Sequence, residues 1–193
     1  MGVVVSLFAL DAALSTRVLH AMATAESVAS AAGSSFIRRL LGSVPKPDFA
    51  FDEFVYREFF DDAVQENWDT PDRSTDVDKA WDVIQRSLDL LIDRGMLQSV
   101  AKGMLSGEGR RWSEHVPSLK ALTQVAKTSE AISDVSLEQF LSVRSDACRD
   151  AYIGDVVDDD EGIQDYVFPH FDQARSLYQK AARRSDSILV LMQ

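Results

Sequence analysis

Residues 74–84 read Ser74-Thr75-Asp76-Val77-Asp78-Lys79-Ala80-Trp81-Asp82-Val83-Ile84 and decide how the middle of the chain folds. Thr75 predicts a helix N-cap, because its hydroxyl can accept a hydrogen bond from an orphan N–H group of the first turn. Asp76 and Asp78 then stand in the first turn, where the positive end of the helix dipole favours carboxylates. Gly95, after Arg94, is typical of the residue that follows a helix C-terminus.

The apolar residues of this segment recur at steps of four and three, at Val77, Trp81, Ile84, Leu88 and Leu91. Such spacing draws one stripe down a helix and predicts a core helix with a buried tryptophan. A catalytic role for Asp76 or Asp78 is the alternative. It has little support from the sequence, because no histidine or cysteine lies at a helpful spacing.

Both ends of the sequence are short apolar segments, residues 3–10 and 188–192. Each is typical of a buried β-strand, and we expect the two to pair in one sheet. A signal-peptide core and an N-myristoylation pattern are the alternatives for the opening, but it lacks a positive leader and Asp11 interrupts the apolar run. No segment approaches the roughly 20 apolar residues of a membrane span, so no membrane association is predicted.

Helical patterns fill most of the sequence between these ends. We predict helices over much of residues 48–69, from Pro117 to about Ser133, from Ser136 onward, and over 161–184 with a kink or a later start at Pro169. Residues 155–162 are predicted as an acidic loop. The fold class is therefore α+β: a single, mostly helical domain over residues 1–193, with a small sheet that includes the N- and C-terminal strands.

Composition restricts the class of function. The formal net charge is −11 and the isoelectric point about 4.6, which argues against binding nucleic acid or anionic membranes and favours a basic protein partner. Cys148 is the single cysteine, so one chain can form neither a disulfide framework nor a cysteine zinc site. This composition fits a reducing compartment, and we expect a cytoplasmic protein.

Three segments share features with one family. They are the opening from Met1 to Asp11, the central Asp76-Val77-Asp78-Lys79-Ala80-Trp81, and the ending Phe171 to Ala182 followed by Ile188-Leu189-Val190. In this order they resemble the start, signature and last helix and strand of the YfbM-like family, domain-of-unknown-function family 1877. The histidine that usually follows the family's tryptophan is missing from residues 82–88. The resemblance implies an α+β fold in a soluble bacterial-type protein, and it implies no reaction.

The usual catalytic and metal-binding patterns are missing from the sequence. His20, His115 and His170 lack zinc-site spacing, although distant histidines can converge in a fold. The acidic run that ends at Gly162 does not place its acids as a calcium loop requires. Cys148 is interpreted as a small buried or half-buried thiol rather than a nucleophile. We therefore predict no cofactor and no metal.

Acidic residues are concentrated in two blocks. Residues 48–78 hold 11 acids against two arginines, and residues 146–172 hold nine acids against one. Aromatic side chains interleave with the first block, and aromatic anchors with a charged rim are common at protein interfaces, although a core-facing aromatic side is the simpler interpretation. The predicted partner-binding residues are Asp61, Asp62, Glu66, Asp158, Asp159 and Asp160.

These observations favour a non-enzymatic, acidic, intracellular protein-binding module, in its specific form an immunity protein that neutralises a basic toxin domain. The sequence leaves the oligomeric state open. The alternative is a small-molecule-binding protein or an enzyme whose site is assembled from distant residues. A deep pocket with converging polar groups would favour the alternative, whereas a flat or convex acidic surface would favour the module.

Overall fold

The computed structural model describes residues 4–20, 70, 72–105 and 118–192. Its sheet has four strands, β1 (Val5–Leu10), β2 (Ser74–Asp76), β3 (Ser118–Lys120) and β4 (Ser187–Met192), in the order β2-β1-β4-β3. Every neighbouring pair is antiparallel. The N-terminal and C-terminal strands pair along their full length, from Val5 opposite Met192 to Leu10 opposite Ser187, which confirms the predicted strand pair.

Helices form most of the described structure, as the α+β prediction requires. Helix α1 includes residues 12–20. The others are α2 (Trp81–Asp93), α3 (Leu122–Ile132), α4 (Leu137–Cys148), α5 (Gly154–Val157), α6 (Asp160–Gly162) and α7 (Phe168–Arg184), with 3₁₀ turns at Asp78–Ala80 and Ser99–Ala101 and a π-helical turn at Ile163–Val167. Within the described ranges, none of the helices has both the length and the apolar composition that crossing a bilayer demands.

The core lies between the sheet and α7, and it extends to α2, α3 and α4. All six residues of β1 are buried, and α7 buries Phe171, Ala174, Leu177, Tyr178 and Ala181 along one side. Tyr178 is fully buried, and its hydroxyl donates a hydrogen bond of 2.7 Å to the carbonyl oxygen of Met104. This bond anchors α7 to the segment that follows α2.

The predicted start of the central helix is wrong. Thr75 lies in β2 instead of capping a helix, because residues 74–76 pair with β1, and the backbone N–H of Val77 still bonds to the Val5 carbonyl oxygen at 2.9 Å. Pairing satisfies the exposed edge of β1, which a helix start at Thr75 would leave open. Helix α2 therefore begins only at Trp81, which is half-buried rather than buried.

The rest of the central helix follows its prediction. Ile84, Leu88 and Leu91 are fully buried on one side of α2. Gly95 has a φ of +70°, and its N–H bonds to the Ile92 carbonyl oxygen while the N–H of Met96 bonds to that of Leu91. This pair of bonds is the Schellman motif that a glycine after a helix commonly forms.

Later elements show two further differences. Residues 118–120 form β3, which pairs with β4, so α3 begins at Leu122 and not near Pro117, which lies outside the described residues. The expected acidic loop contains the short helices α5 and α6. The expected irregularity before Pro169 is present as the π-helical turn, which places the proline in the first turn of α7, where its missing N–H costs little.

Candidate functional site

The predicted contact residues Asp158, Asp159 and Asp160 lie in residues 150–161, which we call the acidic segment. All six acids of this segment are exposed: Asp150, Asp155, Asp158, Asp159, Asp160 and Glu161. Two apolar side chains stand out among them, since Tyr152 is 55% and Val156 is 80% exposed. An exposed tyrosine and valine within a charged rim form a composition that protein interfaces use.

Helix α4 holds the C-terminal half of the acidic segment through one arginine. Arg144 forms an ion pair with Asp160, and its Nε lies 4.0 Å from a carboxylate oxygen of Asp158. Asp159 accepts a hydrogen bond of 2.6 Å from the N–H of Gly162 and so caps α6. The three predicted contact residues therefore have fixed directions, although all remain exposed.

Helix α2 holds the N-terminal half of the acidic segment. One carboxylate oxygen of Asp82 accepts a hydrogen bond of 3.0 Å from the backbone N–H of Tyr152. The other forms an ion pair with Arg86 at 2.9 Å. Arg86 in turn donates to the carbonyl oxygens of Arg149 at 3.2 Å and Asp150 at 3.0 Å. This clamp joins the turn after α4 to α2 and fixes the backbone that carries the exposed Tyr152.

Close packing beneath the acidic segment involves Gly154 and Cys148. A Cβ atom at Gly154 would lie 1.9 Å from the Cys148 carbonyl oxygen, so only glycine fits. Cys148 is buried, and its sulfur lies 3.7 Å from the Val157 carbonyl oxygen. Burial, aided by the nearby Asp158 carboxylate, raises the pKa of the thiol to about 11. The prediction of a buried or half-buried thiol is confirmed, and the raised pKa disfavours the thiolate form that a nucleophile needs.

A second polar region lies between β2 and α7, where a cavity of about 420 Å³ opens. We call it the polar cleft, and its lining is Ser74, Thr75, Asp76, Gln173, Ser176, Leu177 and Lys180. The four α7 residues follow the helical repeat and so face β2 together. Thr75 donates a hydrogen bond of 3.4 Å to the Gln173 side chain across the cleft. At one end, Lys180 donates to Asp72 at 2.5 Å and keeps the pKa of that carboxyl below its usual value.

The other end of the polar cleft is acidic. Asp76 accepts a hydrogen bond of 2.6 Å from the backbone N–H of Asp78, in the turn that replaces the expected helix start. Partial burial of its carboxyl group raises the pKa of Asp76, and the Asp78 carboxylate adds to this rise, although the Asp78 N–H and His170 oppose it. A nearby positive charge would therefore stabilise the ionised form of Asp76.

Asp78 contacts Tyr166, which lies far from it in the sequence. The φ of Asp78 is +45°, a left-handed conformation that is uncommon for aspartate, and the Tyr166 hydroxyl donates to it at 2.6 Å. Burial and this hydrogen bond raise the pKa of Tyr166 to about 12. The His170 ring stacks edge-on against Tyr166 at 4.8 Å, and its buried Nδ1 atom has no hydrogen-bond partner in the described structure.

Only part of these two regions was predictable from the sequence. Asp61, Asp62, Glu66 and His115 lie outside the described residues, as does the helix predicted over 48–69. His20 lies in α1 and His170 in α7. Among the described residues, no group of three acidic, histidine or cysteine side chains could hold a metal ion. The polar cleft was missed because its two sides are distant in the sequence: Thr75 and Gln173, which bond across it, are 98 positions apart. Only the helical spacing of its α7 residues hinted at a shared side.

Comparison with known proteins places the chain in a family without an assigned activity. The family model described as "Domain of unknown function (DUF1877)" matches residues 1–191, so the chain belongs to that family. This confirms the family that the three sequence segments indicated. No curated protein and no solved structure matches the chain.

Proposed function

We propose that this chain is an acidic protein-binding module that acts in the cytoplasm and contacts a basic protein domain through the acidic segment. The observation that carries the proposal is the exposure of Val156 and Tyr152 inside a run of exposed carboxylates. A run of acids alone is usually a solvated surface. Apolar side chains at its centre supply area that only a partner can bury.

Two physical contributions would act together at this surface. The carboxylates speed the encounter with a basic domain and orient it, which raises the association rate at low salt. Val156 and Tyr152 supply apolar contact once the partner is docked, which slows dissociation. The clamp of Asp82 and Arg86 keeps the backbone beneath Tyr152 in place, so little ordering is needed on binding. Asp61, Asp62 and Glu66 remain predicted contacts of the same kind.

The specific form that we propose is an immunity protein that neutralises a basic toxin domain. A net charge of −11 suits rapid capture of a strongly basic domain. Co-expression of this chain should then restore growth to cells that make the toxic product of a neighbouring gene. Growth that stays arrested despite tight binding of the two proteins would remove the immunity form of the proposal.

The test compares two triple variants of equal charge. The first carries Asp158→Asn, Asp159→Asn and Asp160→Asn in the acidic segment. The control carries Asp93→Asn on α2, Glu130→Gln on α3 and Asp134→Asn after α3, all at exposed positions. After the partner has been captured from the native proteome and purified, association rates are measured between low and physiological salt.

We expect the acidic-segment variant to associate about tenfold more slowly at low salt, and the control to stay within about twofold of the unmodified protein. Val156→Ser should instead speed dissociation. Equal association rates for the two triple variants would refute the acidic segment as the contact surface, because net charge alone would then explain the attraction. Thermal unfolding of each variant checks that the fold is kept.

A further inference from the structure

The polar cleft has features that the proposed partner surface does not explain. Its lining includes the Asp76 carboxylate, which accepts the backbone N–H of Asp78. Asp78 lies behind the lining, where it contacts Tyr166, and Tyr166 packs against His170. Asp78 is held in an uncommon left-handed conformation beside the π-helical turn that carries Tyr166. Such costly local features persist where the surrounding structure enforces them, and they concentrate at functional sites.

We infer that the polar cleft binds a small hydrophilic amine, with its ammonium group on Asp76 and its hydroxyl groups along Ser74, Thr75, Gln173 and Ser176. Amino sugars and amino polyols belong to this chemical class. The inference is independent of the proposed protein-binding function, which uses the acidic segment instead.

The size and lining of the polar cleft restrict the ligand. A volume of about 420 Å³ lies within the range of small-molecule sites. Leu177 is the one apolar side chain in its described lining, beside three hydroxyl groups and one amide. A lipid or an aromatic ligand would offer these polar groups no hydrogen bond, whereas a molecule with several hydroxyl groups would add to the bonds that Ser74 and Thr75 already make.

The charged groups of the lining indicate the sign of the ligand's charge. Lys180 is the ammonium group of the described lining, and Asp72 already pairs with it at 2.5 Å. At the opposite end, Asp76 lies beside a second carboxylate, that of Asp78. An anionic ligand would meet repulsion there, while an ammonium group would offset the repulsion between the two carboxylates. Burial is the main cause of the raised pKa of Asp76 and the Asp78 carboxylate adds to it, while His170 offsets only part of the rise.

Tyr166 and His170 act in this site as positioning residues. The Tyr166 hydroxyl donates to Asp78, and His170 packs against the tyrosine ring. Asp78 in turn donates its backbone N–H to Asp76. This chain of contacts fixes the direction of the Asp76 carboxylate, so its second oxygen can face the polar cleft without a loss of side-chain freedom on binding.

The test uses a matched set of probes followed by NMR of the backbone amides in the full chain. Glucamine carries an ammonium group on a polyol, sorbitol has a hydroxyl in its place, and hexylamine has the ammonium group without the polyol. We expect glucamine to shift the amide signals of Thr75, Asp76, Gln173 and Ser176 saturably, with a dissociation constant of about 1 mM for so small a polar ligand. Sorbitol and hexylamine should bind at least about tenfold more weakly.

Two variants separate a charge contact from a general effect. Asp76→Asn keeps an oxygen that can accept the Asp78 N–H, so the turn should survive while glucamine binding falls about tenfold. Asp89→Asn is the matched control, since Asp89 is another partly buried carboxyl with a raised pKa, but it lies on α2 away from the lining. Its glucamine affinity should equal that of the unmodified protein.

Three results would overturn the inference. The first is equal binding of glucamine and sorbitol, which would exclude recognition of the ammonium group. The second is unchanged glucamine affinity in Asp76→Asn. The third is the lack of any saturable shift at the polar cleft up to about 100 mM glucamine. None of them would change the association rates measured for the acidic segment, so the two proposals can fail separately.

Discussion

Replacement of Gly154 by alanine probes the packing that supports the acidic segment. A Cβ atom added there would lie 1.9 Å from the carbonyl oxygen of Cys148 and 2.8 Å from its carbonyl carbon. Ordinary contact begins at about 3.4 Å, so the two segments would have to move apart by about 1.5 Å. The obstacle is backbone at the end of α4, which cannot turn aside as the tip of a flexible side chain can.

The size of the effect follows from this geometry. Overpacking usually costs about 1–3 kcal/mol, and a backbone obstacle puts Gly154→Ala at the upper end, near 3 kcal/mol. In a chain of this length each kcal/mol lowers the melting temperature by about 2–4 °C, so a fall of about 6–12 °C is expected. The same displacement should loosen the turn that carries Val156.

The assay is thermal unfolding followed by far-ultraviolet circular dichroism, with Gly95 as the comparison. Gly95 has open space around it and a φ of +70°, so alanine there costs only backbone strain of about 1 kcal/mol. Asparagine tolerates that conformation and should restore part of the loss at Gly95, whereas at Gly154 it should be no better than alanine. A Gly154→Ala protein that melts within 2 °C (roughly the spread of a surface change) of the parent would refute this reasoning.

Three further outcomes are expected. Tyr178→Phe should lose about 1–3 kcal/mol in chemical denaturation, because it leaves the buried Met104 carbonyl without its donor, while Tyr152→Phe at an exposed site should change little. Asp76→Asn should raise the melting temperature at neutral pH, since the raised pKa makes the ionised carboxyl a cost to the fold. That gain should shrink as the pH falls through the pKa of Asp76 to below the ordinary value of 3.8, and a constant gain would contradict it. Deletion of residues 188–193 removes most of the central strand β4, so the product should be insoluble or lack cooperative unfolding, and an unchanged melting curve would remove the pairing argument.

Local signals in the sequence predicted the parts of the fold that local chemistry controls. The capping box at Ser136 is present, with the Gln139 side chain accepting the Ser136 N–H at 2.9 Å and the serine hydroxyl accepting the Gln139 N–H at 3.4 Å. The turn at Gly95 likewise needs only its own neighbours. The two apolar terminal strands were predictable because a buried central strand is a continuous apolar run.

The short strands β2 and β3 were not predictable in this way. Each has three residues, with the letters Ser-Thr-Asp and Ser-Leu-Lys, and neither shows the apolar alternation of a strand. Their conformation is imposed by the free edges of β1 and β4, which are distant in the chain. The polar cleft depends on the same long-range placement, since pairing with β1 is what holds β2 beside α7. Individual aspartates could therefore be singled out in the sequence, but the cleft they border could not.

The pairing of β1 with β4 also governs when this protein can fold during its synthesis. Val5 pairs with Met192, 187 positions later, so β1 must wait for the synthesis of that stretch before its partner exists. At about 5–20 residues per second that wait lasts roughly 10 to 40 s. Throughout it, a strand whose six residues are all destined for the core stays open to other nascent chains. The yield of this protein in cells should therefore depend on chaperones that shield β1 as it emerges, more than its final stability alone would indicate.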